Sequence, residues 1–270
     1  MPVQLPPHLR RLDQAEFGSL AYDVMKCVFE IHNDLGRFFD ERIYKRELQR
    51  RYSGVELEVP IHVVHRTFSK PLYLDVLVHQ GGLFEFKAAE AIVPRHRNQL
   101  LQYQLLAEID HAQLVNMRPE QVEHEFSNAT AKHKDRVSFA IDDSAWNKSV
   151  AQAGFFAEVL VELLRDWGTG LDLQLYEEAV THFLGGESRV LSDIVINASG
   201  RTLGSQSFRL AAPRIAFKLT AFESQRNAFE EHAHRLLRYS DLDAILWANI
   251  ALRIVTLKVI RSGSARANER

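Results

Sequence analysis

The chain reads as a layered α/β protein, and three observations carry that reading. Two apolar runs, Leu72 to Val78 and Leu83 to Lys87, flank His79-Gln80-Gly81-Gly82 and predict a β-hairpin. Around it, helical and strand periodicities alternate in the order helix, helix, three strands, helix, and one or two further strands. The same rhythm then returns in the second half.

Taken in order, residues 1–14 contain three prolines and predict an irregular lead-in. Phe17, Leu20, Ala21, Val24, Met25, Val28 and Ile31 fall at helical spacing, and Gly36 ends that helix. A second helix covers about Phe39 to Arg51 and breaks at Ser53-Gly54. Val55, Leu57, Val59, Ile61 and Val63 alternate as a half-buried strand. After the hairpin, Pro94 opens a helix to about Glu108 with Leu100, Leu101, Leu105 and Leu106 as its apolar stripe. Gln113 to Asn116 and Val122 to Phe126 complete the set as short strands. Residues 127–150 are polar and predict a linker. Helical spacing resumes at Phe155, Phe156, Val159, Leu160, Leu163 and Leu164.

The second half echoes the first. Leu35-Gly36 followed by Tyr44 matches Trp167-Gly168 followed by Tyr176 at the same separation. Ser53-Gly54 answers to Gly185-Gly186. Phe84-Glu85-Phe86-Lys87 lines up with Ile215-Ala216-Phe217-Lys218, and Leu114 to Met117 with Trp247 to Ile250. A degenerate internal repeat is expected. In this alignment Glu41 becomes Leu173, Asp75 about Gln206 and Glu85 Ala216, while the lysine persists as Lys218. The expected division is 1–126, linker 127–150, and an inactive copy over 151–270.

Composition sets bounds. The 270 residues are 46% hydrophobic and 25% charged, enough to bury a full core. A net charge of −2 advertises no overall basic field for nucleic acid, although a local basic groove can hide in a neutral total. Cys27 is the single cysteine, so no internal disulfide forms, and its place on an apolar helix face predicts inert packing. No signal-peptide core and no membrane-spanning run is seen, and the expected location is cytoplasmic. His62 and His65 are spaced H-x-x-H but lie on an expected strand and are not a metal-spaced pair, and no HExxH occurs, which argues against zinc; no phosphate-binding G-x-x-x-x-G-K-[ST] loop is present.

Charged residues inside apolar strands need a reason, because a buried charge is expensive unless it is paired or holds a metal. Glu85 and Lys87 lie two apart and share a strand face. Asp75 joins them if the hairpin pairs Asp75 with Lys87 around a loop centred on Gly81. Two carboxylates and an ammonium at one spot suit a hard cation such as Mg²⁺ or Mn²⁺, held by carboxylates, water and phosphate oxygens. The bland reading is a structural ion pair. Gln99 and Tyr103 lie i,i+4 on the next helix, and Glu41 and Tyr44 lie i,i+3 on the second; both pairs predict a substrate wall. Arg95, His96 and Arg97 at a helix start could meet phosphate, or could be a solvated helix end.

These stretches together, Leu35-Gly36 with Glu41-Arg42-Ile43-Tyr44, Tyr73 to Leu77, Glu85 to Glu90 and Gln99 to Tyr103, resemble the bacterial GxxExxY family over about residues 15–126. That family is assigned to the PD-(D/E)XK nuclease superfamily, on its RecB-like and λ-exonuclease-like side. The resemblance implies a restriction-endonuclease-like core: a mixed sheet flanked by helices. It implies Asp75, Glu85 and Glu41 as metal ligands and Lys87 as the catalytic lysine. Gln99 and Tyr103 would be the Gln-x-x-x-Tyr pair, with Tyr44, Arg95 and Arg97 toward substrate. The glycine before the family's glutamate is Phe38 here, so only Glu41 and Tyr44 match that motif.

The expected activity is Mg²⁺- or Mn²⁺-dependent hydrolysis of a nucleic-acid phosphodiester, DNA before RNA, by a monomer with an internal pseudo-dimer or by a homodimer. A catalytically silent nuclease fold that binds nucleic acid or protein is the alternative, and a purely structural module is a third.

Overall fold

Asp13 starts the first helix. Its Oδ1 accepts from the backbone N–H groups of Ala15 and Glu16, both at 2.9 Å, while Glu16 Oε2 accepts from Asp13 N at 3.0 Å. This reciprocal cap opens α1 (Gln14–Leu35), which ends at Gly36, where φ is +72°. The computed structural model describes residues 2–262. Met1 and residues 263–270, at the ends of the first and last expected spans, lie outside the described residues. The chain divides into two units, Met1–His133 and Lys134–Arg270.

In the first unit β1 (Val3–Gln4) precedes α1, and α2 (Glu41–Arg51) follows it. Then come β2 (Val55–His65), β3 (Phe68–Val78), β4 (Gly82–Lys87), α3 (Pro94–Ala107), β5 (His111–Asn116) and β6 (Glu123–Asn128). One sheet takes these strands in sequence order, β1 to β6. Neighbours are antiparallel except β4 and β5, which are parallel and joined through α3. Phe17, Ala21, Val24, Val28 and Ile31 of α1 pack with Tyr44 and Leu48 of α2 against Val76, Val78, Phe84, Phe86 and Val115 of the sheet. The fold is the expected mixed sheet with helices. The short β1, paired with β2 inside the proline-containing lead-in, was not expected.

The second unit holds α4 (His133–Arg136), whose first residue closes the first unit, then β7 (Ala140–Ala145), α5 (Ala153–Trp167), α6 (Leu173–Phe183) and α7 (Glu187–Val190). It continues with β8 (Leu191–Ala198), β9 (Arg201–Ala212), β10 (Ile215–Thr220), α8 (Arg226–Tyr239), β11 (Ala244–Ile250) and β12 (Ile254–Arg261). Its sheet order is β7-β12-β11-β10-β9-β8. From β8 to β12 the pairing senses are antiparallel, antiparallel, parallel and antiparallel, with α8 between the parallel pair. The senses from β2 to β6 run the same way.

Residues 127–150 are not a linker. They contain the end of β6, α4 and β7, and β7 pairs in parallel with β12 at the sheet edge. Every residue of β7 is exposed. An edge strand with nothing to bury takes the polar composition of a connector.

Candidate active site

Strand alternation selects the side chains that converge. Val76, Val78, Phe84 and Phe86 point into the core with α1 and α2. Asp75, Glu85 and Lys87 therefore point to the opposite face. The pairs Val76 with Phe84, Leu77 with Leu83 and Val78 with Gly82 place Asp75 opposite Glu85. The expected partner was Lys87, so the register is corrected by one step of two residues, which keeps the shared face. The reason lies in the turn. His79 and Gln80, not the glycines, take the left-handed conformation, with φ of +47° and +65°. Gly82 already belongs to β4, where an added Cβ would stand 2.5 Å from Leu20 Cδ2.

Asp75 and Glu85 are almost wholly buried, with 6% and 1% of their surface exposed. Asp75 Oδ2 accepts from the backbone N–H of Phe86 at 2.7 Å, and its Oδ1 accepts from the Lys45 ammonium. Lys45, on α2, also donates to Glu58 of β2 and lies 3.3 Å from Glu41 Oε1. Lys87 donates to Glu85 Oε1 at 2.6 Å and stands 4.0 Å from Glu41 Oε2. Four carboxyl groups thus share two ammonium groups, and when all are ionised the cluster carries a charge of −2.

Burial governs the titration of the two acids. It pushes Asp75 up to about 6, against the opposing hydrogen bonds from Lys45 and Phe86. Burial, helped by the neighbouring Asp75 charge, pushes Glu85 up to about 7 although Lys87 pulls it down. For Lys45, burial alone would lower the pKa; its hydrogen bonds to Asp75 and Glu58 outweigh burial and raise it, so it stays charged. Lys87 is raised in the same way, burial being outweighed by Glu85.

The donors suit a hard divalent cation. They are carboxylate oxygens with a surplus of two negative charges, and Glu85 Oε2 is buried without a hydrogen-bond partner. Yet among the described residues no three His, Cys, Asp or Glu side chains close into a metal-ready group. The lysines hold the carboxylates instead.

The remaining expected residues separate clearly. Tyr103 is buried, with its hydroxyl 3.3 Å from Gln99 Nε2, and the charges of Glu85, Lys87 and Asp75 all act on it. Gln99 and Tyr103 therefore adjoin the cluster. Tyr44 does not present its hydroxyl to a ligand. It is fully buried, donates to Gly36 O at 2.8 Å and accepts from Phe39 N at 3.1 Å, so it ties down the loop ahead of α2. Arg97 is held by both oxygens of Glu125, at 2.6 and 2.7 Å, and is turned away. Arg95 stays exposed. Its neighbour His96 lies nearer the cluster: burial, Lys87 and Arg95 lower its pKa.

Three participants escaped the sequence reading. Lys45 was signalled by its i,i+4 spacing from Glu41. Glu58 had no such signal: it faces Asp75 across β2 and β3 but drops out of the ladder, with φ at +51°. Asn116 closes the end of β4, its Oδ1 accepting from Ala89 N at 3.0 Å and its Nδ2 donating to Ala89 O at 2.8 Å.

Residues 18–128 match the family model of the PD-(D/E)XK nuclease superfamily. The matched stretch lies within the first unit and contains Glu41, Lys45, Glu58, Asp75, Glu85, Lys87, Gln99 and Tyr103. That superfamily generally comprises metal-dependent nucleases, which use divalent ions and act on nucleic acid. No curated protein and no solved structure matches the chain. No helix among the described residues is long and apolar enough to cross a membrane.

Proposed function

We propose that the first unit is a divalent-metal-dependent nuclease that hydrolyses phosphodiester bonds with Asp75, Glu85, Glu41 and Lys87 as its working residues. The observation that carries this reading is the cluster of four carboxyl groups and two lysines, with Asp75 and Glu85 buried, inside the superfamily match. Asp75, Glu85 and Glu41 would hold the ion. A bound Mg²⁺ or Mn²⁺ would supply Lewis acidity and activate water for in-line attack. Lys87, fixed 2.6 Å from Glu85, would orient the attacking water or stabilise charge on the transferring phosphate. Gln99 and Tyr103 would wall the substrate. The spacing of Glu41 and Tyr44, and of Gln99 and Tyr103, favours the GxxExxY group and the RecB-like branch, with Phe38 in place of the motif's glycine.

We read the second unit as a degenerate copy of the first, and three correspondences support it. The strand order and pairing senses agree from β2 and from β8 onward. Tyr176 donates to Gly168 O as Tyr44 does to Gly36 O. Asn249 clamps Phe222 N and O as Asn116 clamps Ala89. The asparagines also correct the expected alignment. Asn116 faces Lys87, whereas Asn249 faces Thr220, so Lys218 takes the place of Glu85 rather than of Lys87. In this frame the second unit has lost both the metal carboxylates and the lysine.

The Lys45 ammonium favours a second reading, a silent nuclease fold that grips nucleic acid, because it already neutralises Asp75. A cleavage assay on labelled single- and double-stranded DNA and RNA separates the two. The nuclease reading predicts cutting in Mg²⁺ or Mn²⁺, none in EDTA, and loss of cutting in both Asp75→Ala and Lys87→Ala. Cutting that survives both substitutions, or binding without cutting under all metals, contradicts it.

A further inference from the structure

The second unit carries a cavity of about 350 Å³, within the range of roughly 300–1,000 Å³ typical of small-ligand sites. It opens over β9, β10 and α8, the elements that match β3, β4 and α3 in order and pairing. Its position is therefore that of the carboxylate cluster, but its chemistry is reversed. The strand positions of Asp75 and Glu85 are taken by Phe208 and Lys218, counted from the pairs Leu210 with Ala216 and Leu77 with Leu83. Polarity on the covering helix is reversed as well. Lys45 of α2 pairs with Asp75, whereas Glu177 of α6 stands 3.6 Å from Lys218.

Lys218 is more than half exposed at this cavity, and its single pair with Glu177 is long and weak. His232 on α8 adds a second nitrogen side chain. Arg209 borders the same space through β9, but as the strand neighbour of Phe208 it points to the opposite sheet face. Phe208 and Phe229 supply the apolar wall, both partly exposed at the edge of the core that contains Trp247. Phe229 packs against Trp247 with ring centroids 4.7 Å apart and planes tilted by 31°. A lysine and a histidine beside aromatic faces suit a ligand that is both anionic and aromatic. A carboxylate-bound metal has no place there, since a lysine occupies the ligand position.

We infer that this cavity is a metal-independent binding site for one 5′-phosphorylated nucleoside unit. The phosphate sits on Lys218 with His232 beside it, and the base lies against Phe208 and Phe229. The unit comes either from a free nucleotide or from the end of a single strand, and the chemistry of the site is the same for both. This inference does not depend on whether the first unit cuts, because it needs neither a metal nor Asp75, Glu85 and Lys87.

The test uses the full chain in EDTA. One arm titrates 5′-AMP by calorimetry; the other titrates a 5′-phosphorylated hexathymidylate with a 3′ fluorophore by anisotropy. Saturable binding is expected in at least one arm, and the responding arm names the source. Lys218→Glu should weaken it by about tenfold or more, the loss of a charge-assisted contact plus repulsion. Phe208→Ala should weaken it too, and Lys218→Gln, which keeps size and polarity, by less than Lys218→Glu. Thermal melts of each variant verify the fold. No saturation in either arm, binding that appears only with Mg²⁺, or binding indifferent to both Lys218→Glu and Phe208→Ala would overturn the inference.

Discussion

Glu85 shows how a single residue links stability to function. Its pKa is raised to about 7 chiefly by burial, so the folded protein keeps a proton that the unfolded chain has already released. Its stabilising contribution is complete below the ordinary carboxylate range and is lost as pH rises through about 7. A shift of this size is worth roughly 3 kcal/mol between acid and alkaline conditions. Glu85→Gln removes that dependence. Denaturant melts should find the variant gaining on the native protein between pH 5 and pH 8, and a constant difference would contradict the assignment. Lys45 acts in the opposite sense. Lys45→Met leaves Asp75 without its counter-charge, and breaking one side of a buried ion pair costs roughly 3–5 kcal/mol at most, less where the acid can protonate. The metal-free variant should therefore melt lower, more so at pH 8 than at pH 5, and added Mg²⁺ should recover more of its stability than it adds to the native protein. Equal Mg²⁺ effects on both proteins would remove Lys45 from the site.

At the scale of elements, the parallel pair and its closing asparagine form the frame. Asn116 satisfies both backbone groups of Ala89 just beyond β4, and Asn249 does the same for Phe222 beyond β10. Alanine at either position strands polar groups and should destabilise by roughly 1–3 kcal/mol. Asn116→Ala should also loosen Lys87, which Asn116 faces across the ladder, whereas Asn249→Ala should leave metal binding unchanged. Proteolysis or melts of both variants, with and without Mn²⁺, check this pair. Periodicity made α1 and β2 legible because each buries one stripe; in α3 Leu100, Leu105 and Leu106 are buried as expected, but Leu101 is exposed and Tyr103, Gln104 and Ala107 are buried. The hairpin face was legible too, since parity survives a two-residue slip. Its register was not, because His79 and Gln80 adopt left-handed backbone that composition assigns to Gly81. The strand β7 was misread because an exposed edge has no apolar alternation to read.

Across the whole molecule, a net charge of −2 conceals a carboxylate-rich cluster in the first unit and a lysine-lined cavity in the second. The carboxylates of the first were legible because charges inside apolar strands demand a partner. Lys45 and Glu58 were not, because α2 and the irregular turn of β2 meet Asp75 only in three dimensions. On the reading of the second unit as a degenerate copy, matching Lys87 to Lys218 by residue type slides the strand by two positions relative to the pairing of Asn249 with Thr220. The proposed nuclease activity requires the cluster around Asp75 and Glu85 to be a divalent-metal site. The most direct test is calorimetric titration of Mn²⁺ into the full chain at pH 8 and again at pH 6. It should show saturable binding that weakens at pH 6, where Glu85 holds its proton, and that disappears in Asp75→Asn. No saturable binding, or binding unchanged in Asp75→Asn, would contradict the account.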